Sequence, residues 1–181
     1  MQKDLFGNTV DYRDSFENEL REFDEFTFQE RLKRFRYFYK YFPEHGHIIF
    51  GSDESFRIFK EVKSCFINGE YVSVVVLALS FIERRFQESL HINGFESESK
   101  QNLNKILLKF KENSAIPDYF IDRVDLLREK RNPFVHLRKV LDEDNLFSRS
   151  QKKKKNADEV LYDDAKEGIV LMFESLKIRV L

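Results

Sequence analysis

The sequence predicts an all-α protein: an up-and-down bundle of four to five helices with an N-terminal helical extension. The chain of 181 residues contains only 6 Gly and 3 Pro, too few for the many tight turns of a β-sandwich. Its 20 Phe residues and 41% hydrophobic content can fill one substantial core. Apolar residues recur at helical spacing in several segments separated by short breaks. We therefore expect an extension over residues 1–50 and one bundle domain over residues 51–181.

The extension is rich in aromatic and charged residues. Its large apolar residues recur at spacings of three to five, which is compatible with one or two amphipathic helices: Leu20, Phe23, Phe28, Leu32, Phe35 and Phe38. Pro43 ends this region. Because isolated helices of this length are marginal in water, we expect the extension to dock onto the main body.

The main body divides into five predicted helices separated by turn residues and polar segments. They are expected to begin near Ser52 or Asp53, Tyr71, Asn102, Pro117 and Asp158. Their predicted buried stripes include Phe56, Phe59, Val62 and Phe66 in the first, Phe120, Val124 and Leu127 in the fourth, and Ala165, Ile169, Met172, Phe173 and Leu176 in the last. The polar segment 142–156 lacks apolar periodicity and is predicted to be a flexible loop.

Charge and cysteine content narrow the class of protein. The formal net charge is −1, so any contact with nucleic acid must be local. The single Cys65 excludes an intramolecular disulfide, and without Cys pairs no structural zinc site is expected. The apolar stretch 72–82 is too short for a membrane span, and the N-terminal residues do not resemble a signal peptide. These features predict a cytoplasmic protein without membrane contact.

The stretch RNPFVH, residues 131–136, raises the question of a site. On a continuous helix, Arg131 and His136 would lie about 140° apart around the axis. Proline disfavours helical geometry in the preceding residue and Asn is a good N-cap, so Asn132 and Pro133 predict the start of a new helix. Its unpaired amides, with Arg131 and His136, would form a phosphate site. Alternatively, Arg131 only stabilises the end of the preceding helix, and His136 is an ordinary, partly buried residue.

Arg131, Asn132 and His136 resemble the signature of the HEPN superfamily: an Arg often followed by Asn, and a His after four to six intervening residues. The motif follows a helical hairpin and precedes a polar loop and a final helix, the order expected of that fold. The resemblance covers roughly residues 54–178.

The resemblance implies a helical bundle that dimerises and brings two motifs together. Active members are endoribonucleases that need no metal or other cofactor, and many belong to toxin–antitoxin or anti-phage systems. His136 would then be the acid or base and Arg131 would stabilise the charged phosphate, with Asn132 as a helix cap or a direct phosphate contact. RNA is the implied substrate, and an antitoxin or regulatory protein the implied partner. In one toxin branch the antitoxin modifies a Tyr two residues after the His; Arg138 occupies that position here.

Two further features are candidate parts of the site. Glu83 lies on a mostly apolar helix face, and the family often carries an acidic or polar residue on this helix to orient the motif. We predict an ion pair with Arg131; a partner on another helix, or Arg84 or Arg85, remains open. The run Lys152, Lys153, Lys154 and Lys155 can track an RNA backbone or be solvated only.

The sequence thus leaves two functions open. The first is a metal-independent endoribonuclease that acts as a toxin or defence effector. The second is a catalytically silent bundle that binds a protein or a nucleotide. The intact Arg131, Asn132 and His136 favour the first, and the acidic residues spread over the chain keep the second open.

Overall fold

The fold is an all-α bundle. The computed structural model describes residues 2–3, 9–10, 12–44, 47–113, 116–137, 139 and 142–178, with side chains from residue 15 onward. A two-residue antiparallel pairing, β1 (Gln2–Lys3) with β2 (Thr9–Val10), precedes the helices. The described helices are α1 (Tyr12–Tyr39), α2 (Asp53–Asn68), α3 (Tyr71–Ile92), α4 (Glu96–Ser99), α5 (Leu103–Glu112), α6 (Asp118–Val135), α7 (Leu146–Lys153) and α8 (Ala157–Lys177).

Helices α2, α3, α6 and α8 form an up-and-down bundle. The tight turn at Gly69, whose φ of 86° is left-handed, reverses the chain between α2 and α3. The rings of Tyr71 and Tyr162 lie 5.3 Å apart, at the start of α3 and near the start of α8, so these two helices run parallel. Helix α6 runs the opposite way, because Lys130 near its end meets Asp164 in the first half of α8. The predicted architecture is confirmed.

The core consists of two adjoining clusters of buried side chains. One joins α3, α5 and α6 around Phe86, Phe110 and Phe120; the other joins α1, α2, α3 and α8 around Phe59 and Phe173. Helix α3 contributes to both clusters, which explains why its sequence is apolar nearly all round.

Most helix starts follow from local sequence. The Ser52 hydroxyl accepts a hydrogen bond from the Ser55 amide and caps α2, as predicted. Asn102 caps α5 in the same way, and Asn156 forms a capping box with Glu159 at the start of α8. The predicted stripe of α2 needs one correction: Phe56 is exposed and Ser55 is buried instead. The hydroxyl of Ser55 donates to the Glu88 carboxylate on α3, so this polar group is satisfied although it is buried.

The predicted break at Asn132 is wrong. Helix α6 continues through Asn132 and Pro133 to Val135, and the His136 amide still donates to the Asn132 carbonyl at 2.9 Å. Pro133 is tolerated because it lies in the last turn, where the carbonyl of Glu129, which loses its donor, belongs to an exposed residue. No helix therefore begins at the motif, and Asn132 is not an N-cap.

The predicted flexible loop over 142–156 is also wrong. Residues Leu146–Lys153 form α7, and its Arg149 is buried against α8. The guanidinium of Arg149 and the ammonium of Lys130 both pair with the Asp164 carboxylate, which is 2% exposed. This buried pairing orders a segment that lacks an apolar stripe of its own.

Helix α1 docks only by its C-terminal part. Arg34 Nε donates to the Ile67 carbonyl at 2.8 Å, and Phe38 is fully buried, 5.7 Å from Phe59 between ring centroids. These contacts make α1 antiparallel to α2, so the preceding residues extend past the α2–α3 turn. Residues 15–33, here called the arm, span about 28 Å at the helical rise. Docking of the extension is therefore confirmed for its last two turns, whereas the arm remains exposed.

Within the described ranges, no helix is both long enough and sufficiently apolar to cross a membrane.

Candidate functional site

The motif residues lie at the C-terminal end of α6. Arg131 and Asn132 are half-buried in its last turn, and His136 is exposed at the position that follows the helix, with extended backbone angles (φ −135°, ψ 134°). Within the described chain, Arg131 makes no ion pair. A guanidinium and an imidazole are therefore both available at this end of the bundle.

Arg131 and His136 do not lie at the start of a new helix, as predicted. Because α6 is continuous through Val135, their backbone positions are about 140° apart around the helix axis. The helix end also presents carbonyl groups, the negative end of its dipole, instead of the amides expected to bind phosphate. Only the charged side chains, and not the helix terminus, can attract an anion here.

Glu83 has a different partner from the predicted one. Its Oε1 accepts a hydrogen bond from the backbone amide of Leu103, the first residue of α5, at 2.9 Å. No ion pair between Glu83 and Arg131 is found in the described part of the chain. The carboxylate satisfies an amide that the helix start leaves unpaired, and so it fixes α5 against α3.

The lysine run lies at the same end of the bundle as the motif. Lys152 and Lys153 form the last turn of α7, and Lys154 ends it with a left-handed φ of 53°. All four lysines are exposed, but Lys155 pairs with Asp163 at 2.6 Å, which raises the pKa of its ammonium. Because Arg149 of α7 and Lys130 of α6 share Asp164, the lysines and the α6 end belong to one basic region.

A separate cavity of about 720 Å³ opens near the C-terminal ends of α3 and α8. Its wall is aromatic and aliphatic, including Tyr41, Phe50 and Phe173, and Arg85 and Lys177 border it. Neither cation has an ion-pair partner among the described residues. Asp164 and Lys177 are thirteen residues apart on α8, so the cavity lies roughly 20 Å from the motif end of the bundle. This cavity was not predicted, because its lining comes from residues 40–51, from α3 and from the end of α8, which are far apart in the sequence.

The described residues include no group of three His, Cys, Asp or Glu side chains placed to hold a metal ion. Arg138 lies outside the described residues.

The described chain is thus an all-α bundle in which Arg131 and His136 lie at the C-terminal end of α6 and the lysine-rich helix α7 lies beside them. Comparisons of the chain with known protein families, with curated proteins and with solved structures find no match.

Proposed function

We propose that this protein is a metal-independent endoribonuclease of the HEPN type, acting in the cytoplasm as a toxin–antitoxin or anti-phage effector. The observation that carries the proposal is the end of α6, where an exposed His136 follows a helix turn that presents Arg131 without an ion pair in the described chain. Arg, His and nearby lysines are the side chains that RNA cleavage without a metal requires.

The reaction begins when the ribose 2′-hydroxyl loses a proton and attacks the adjacent phosphorus. The bond to the 5′-oxygen then breaks and that oxygen gains a proton, which leaves a 2′,3′-cyclic phosphate and a 5′-hydroxyl. His136 is the proton donor or acceptor, a role worth 10²–10⁴-fold in rate. Arg131 stabilises the extra negative charge on the phosphate oxygens.

The site is built from two copies of the chain. Because Arg131 and His136 lie about 140° apart around α6, Arg131 of one copy and His136 of the other face the same phosphate in a two-fold dimer. Asn132 contacts the phosphate through its side-chain amide, since its capping role is excluded. Lys152, Lys153 and Lys154 hold the RNA backbone on either side.

The test is cleavage of single-stranded RNA in EDTA. We expect the wild-type protein to cut and His136→Ala to lose at least 100-fold in rate, because the proton transfer is lost. His91→Ala is the matched control, since His91 is an exposed histidine at the end of α3, away from the motif. An all-deoxy copy of the oligonucleotide lacks the attacking hydroxyl and should remain intact.

Equal cleavage by the wild type and His136→Ala, or cutting of the deoxy strand, would exclude this mechanism. Absence of cleavage at micromolar protein, with the folded state verified by circular dichroism, would favour the second function below.

The second function is a catalytically silent binding module, which the cavity near the ends of α3 and α8 favours. Cavities of a few hundred to a thousand Å³ with an apolar wall and a few charged groups are typical of small-molecule sites. The uncompensated Arg85 and Lys177 suit an organic anion with an aromatic body, such as a mononucleotide.

Calorimetric titration with AMP tests this function. Binding that adenosine does not reproduce and that Arg85→Gln weakens at least tenfold would support it; Arg57→Gln, an exposed arginine on α2 that does not line the cavity, serves as the control. AMP binding unchanged in Arg85→Gln, or no binding at millimolar AMP, would reject it.

A further inference from the structure

The exposed arm of α1 carries an unusual concentration of large apolar side chains. Among its exposed residues are Phe16, Leu20, Phe23, Phe26 and Phe28, and Phe26 is 88% exposed. Phe16, Leu20 and Phe23 follow the spacing i, i+4, i+7, and so do Phe28, Leu32 and Phe35, so each half of the helix has an apolar face of the same spacing. A helix of this length without tertiary contacts is marginal in water, so the arm needs a partner.

The charges of α1 are divided between its two halves. Residues 15–25 contain five acidic side chains and one basic side chain, a net charge of −4. Residues 29–39 contain four basic side chains and one acidic side chain, a net charge of +3. Glu17 and Asp24 pair within α1, with Arg21 and Arg31, whereas Glu19, Glu22 and Glu25 have no ion pair among the described residues. Three negative charges of the acidic half are therefore available to a partner.

A second copy of the same helix, running antiparallel, complements this pattern. It places each acidic half against the basic half of the other copy, whereas a parallel pair would join acid to acid and base to base. The two contacts are then identical by symmetry, as a closed two-fold dimer requires. The centres of the acidic and basic halves place the two-fold axis near Thr27.

The bundle offers a matching groove at the place where the acidic half of the second copy would end. A depression of about 340 Å³ is lined by the rings of Tyr39, Phe42 and Phe56 and by Lys60 and Lys63 of α2. With the axis near Thr27, Phe16 of the second copy lies level with Phe38, one residue before Tyr39. The apolar side chain can fill the groove, while the neighbouring glutamates meet the two lysines.

We propose that the protein forms a homodimer through antiparallel pairing of the two α1 arms, with the acidic half of each arm seated over the Lys60–Lys63 groove of the other copy. The arm extends past the α2–α3 turn, at the end of the bundle where α6 also ends, so the same two-fold axis turns the two α6 ends towards each other within one dimer. The inference does not rest on the proposed ribonuclease function.

A charge-exchange experiment tests the interface. Light scattering at micromolar protein should give twice the chain mass of 21.8 kDa for the wild type. Glu19→Lys/Glu22→Lys/Glu25→Lys places cation on cation. Lys33→Glu/Arg36→Glu/Lys60→Glu/Lys63→Glu reverses cations both on the basic half of α1 and at the groove, so it places anion on anion. Each variant alone should therefore be monomeric. Mixed together they should recover a dimer, because both contacts again join opposite charges. Lys100→Glu/Lys105→Glu, exposed on the α4–α5 side, is the matched control and should remain dimeric.

Cross-linking tests the antiparallel direction in a Cys65→Ser background. With a bismaleimide that spans about 10 Å, the usual separation of packed helices, Thr27→Cys should link two copies efficiently. Glu19→Cys should not link to itself, since the two positions are roughly 26 Å apart in the antiparallel pair. Mixing Glu19→Cys with Arg36→Cys should give a cross-linked heterodimer.

A monomeric wild type would overturn the proposal. A dimer that persists in both charge-reversed variants would overturn it as well, because the copies would then associate through another surface. Self-linking of Glu19→Cys would show parallel pairing and contradict the charge argument. Binding of the monomeric wild-type arm to another protein or to lipid vesicles would assign the arm to a different occupant.

Discussion

Cys65 is the only cysteine of the chain and lies half-buried on α2, close to the Glu70 carboxylate. Burial and, secondly, the hydrogen bond with Glu70 raise the pKa of its thiol from 9.0 to about 11. Both effects disfavour the thiolate, which is the reactive form. The residue therefore behaves as a packing side chain of α2.

We expect Cys65 to react slowly with a thiol reagent such as DTNB at pH 8. At this pH the thiolate fraction is roughly 100-fold below that of a thiol with the ordinary pKa, because two pKa units separate them. The rate should continue to rise with pH up to about 11. Glu70→Gln removes one cause of the shift and should speed the reaction; a rate equal to that of free cysteine in the wild type would contradict the burial described here.

At the scale of the element, α7 depends on one buried ion pair more than on apolar packing. Its Arg149 and the Asp164 carboxylate of α8 are both buried, and Lys130 of α6 approaches Asp164 at 3.4 Å. Three helices therefore meet at one carboxylate. Removal of that carboxylate leaves two cations near the bundle interior without their counter-charge.

We predict that Asp164→Ala lowers the free energy of unfolding by about 3–5 kcal/mol, as expected when one member of a buried ion pair is removed. The adjacent Asp163→Ala is the matched control: Asp163 is more exposed and pairs with Lys155 and Lys166 at the surface, so about 0–1 kcal/mol is expected. Urea unfolding of both variants measures the difference. Similar midpoints for the two variants would show that α7 is not held by this pair.

The sequence predicted the elements whose signals are local. The starts of α2 at Ser52 and of α5 near Asn102 depend on a few neighbouring residues, and both were predicted correctly. The last helix was predicted to begin near Asp158, so its cap at Asn156 was missed, although Asn followed three residues later by Glu is a local signal. Helix α7 could not be predicted, because its order comes from an ion pair between residues fifteen positions apart. At Pro133 a local signal predicted a helix break that the structure does not contain. Proline disrupts the interior of a helix, but the last turn of α6 tolerates it.

The same distinction applies to the candidate site. Exposure of His136 and the clustering of the lysine run with the α6 end are compatible with the motif read from the sequence. The predicted partner of Glu83, Arg131, was wrong. The packing of α5 against α3 brings the carboxylate to the Leu103 amide instead. The relative positions of Arg131 and His136 were also predicted incorrectly, because α6 continues through Asn132 and Pro133. Tertiary context, and not the local sequence, decides whether the helix continues there.

At the scale of the whole molecule, the stability of the bundle does not depend on the arm. We predict that deletion of residues 1–27 changes the free energy of unfolding by less than about 1 kcal/mol at a concentration where the protein is monomeric, because the described side chains of residues 15–27 bury little surface. By contrast, Phe38→Ala should lose about 3–5 kcal/mol, since the ring is fully buried among Phe59 and Phe173. Chemical denaturation compares the two. A large loss on deletion would mean that the arm packs against its own bundle.

The crossing of α3 and α8 sets a rule for divergent evolution of this architecture. A Cβ added to Gly168 would lie 3.3 Å from the Cβ of Ala78 and 3.6 Å from the Leu127 side chain. Positions 78 and 168 can therefore enlarge only if the helix axes separate or a neighbour shrinks in compensation. A remote homologue should keep two small side chains at this crossing even after its surface and its Arg–His pair have changed. That pair of positions is thus a marker of the close packing of α3 against α8, whatever chemistry the protein performs.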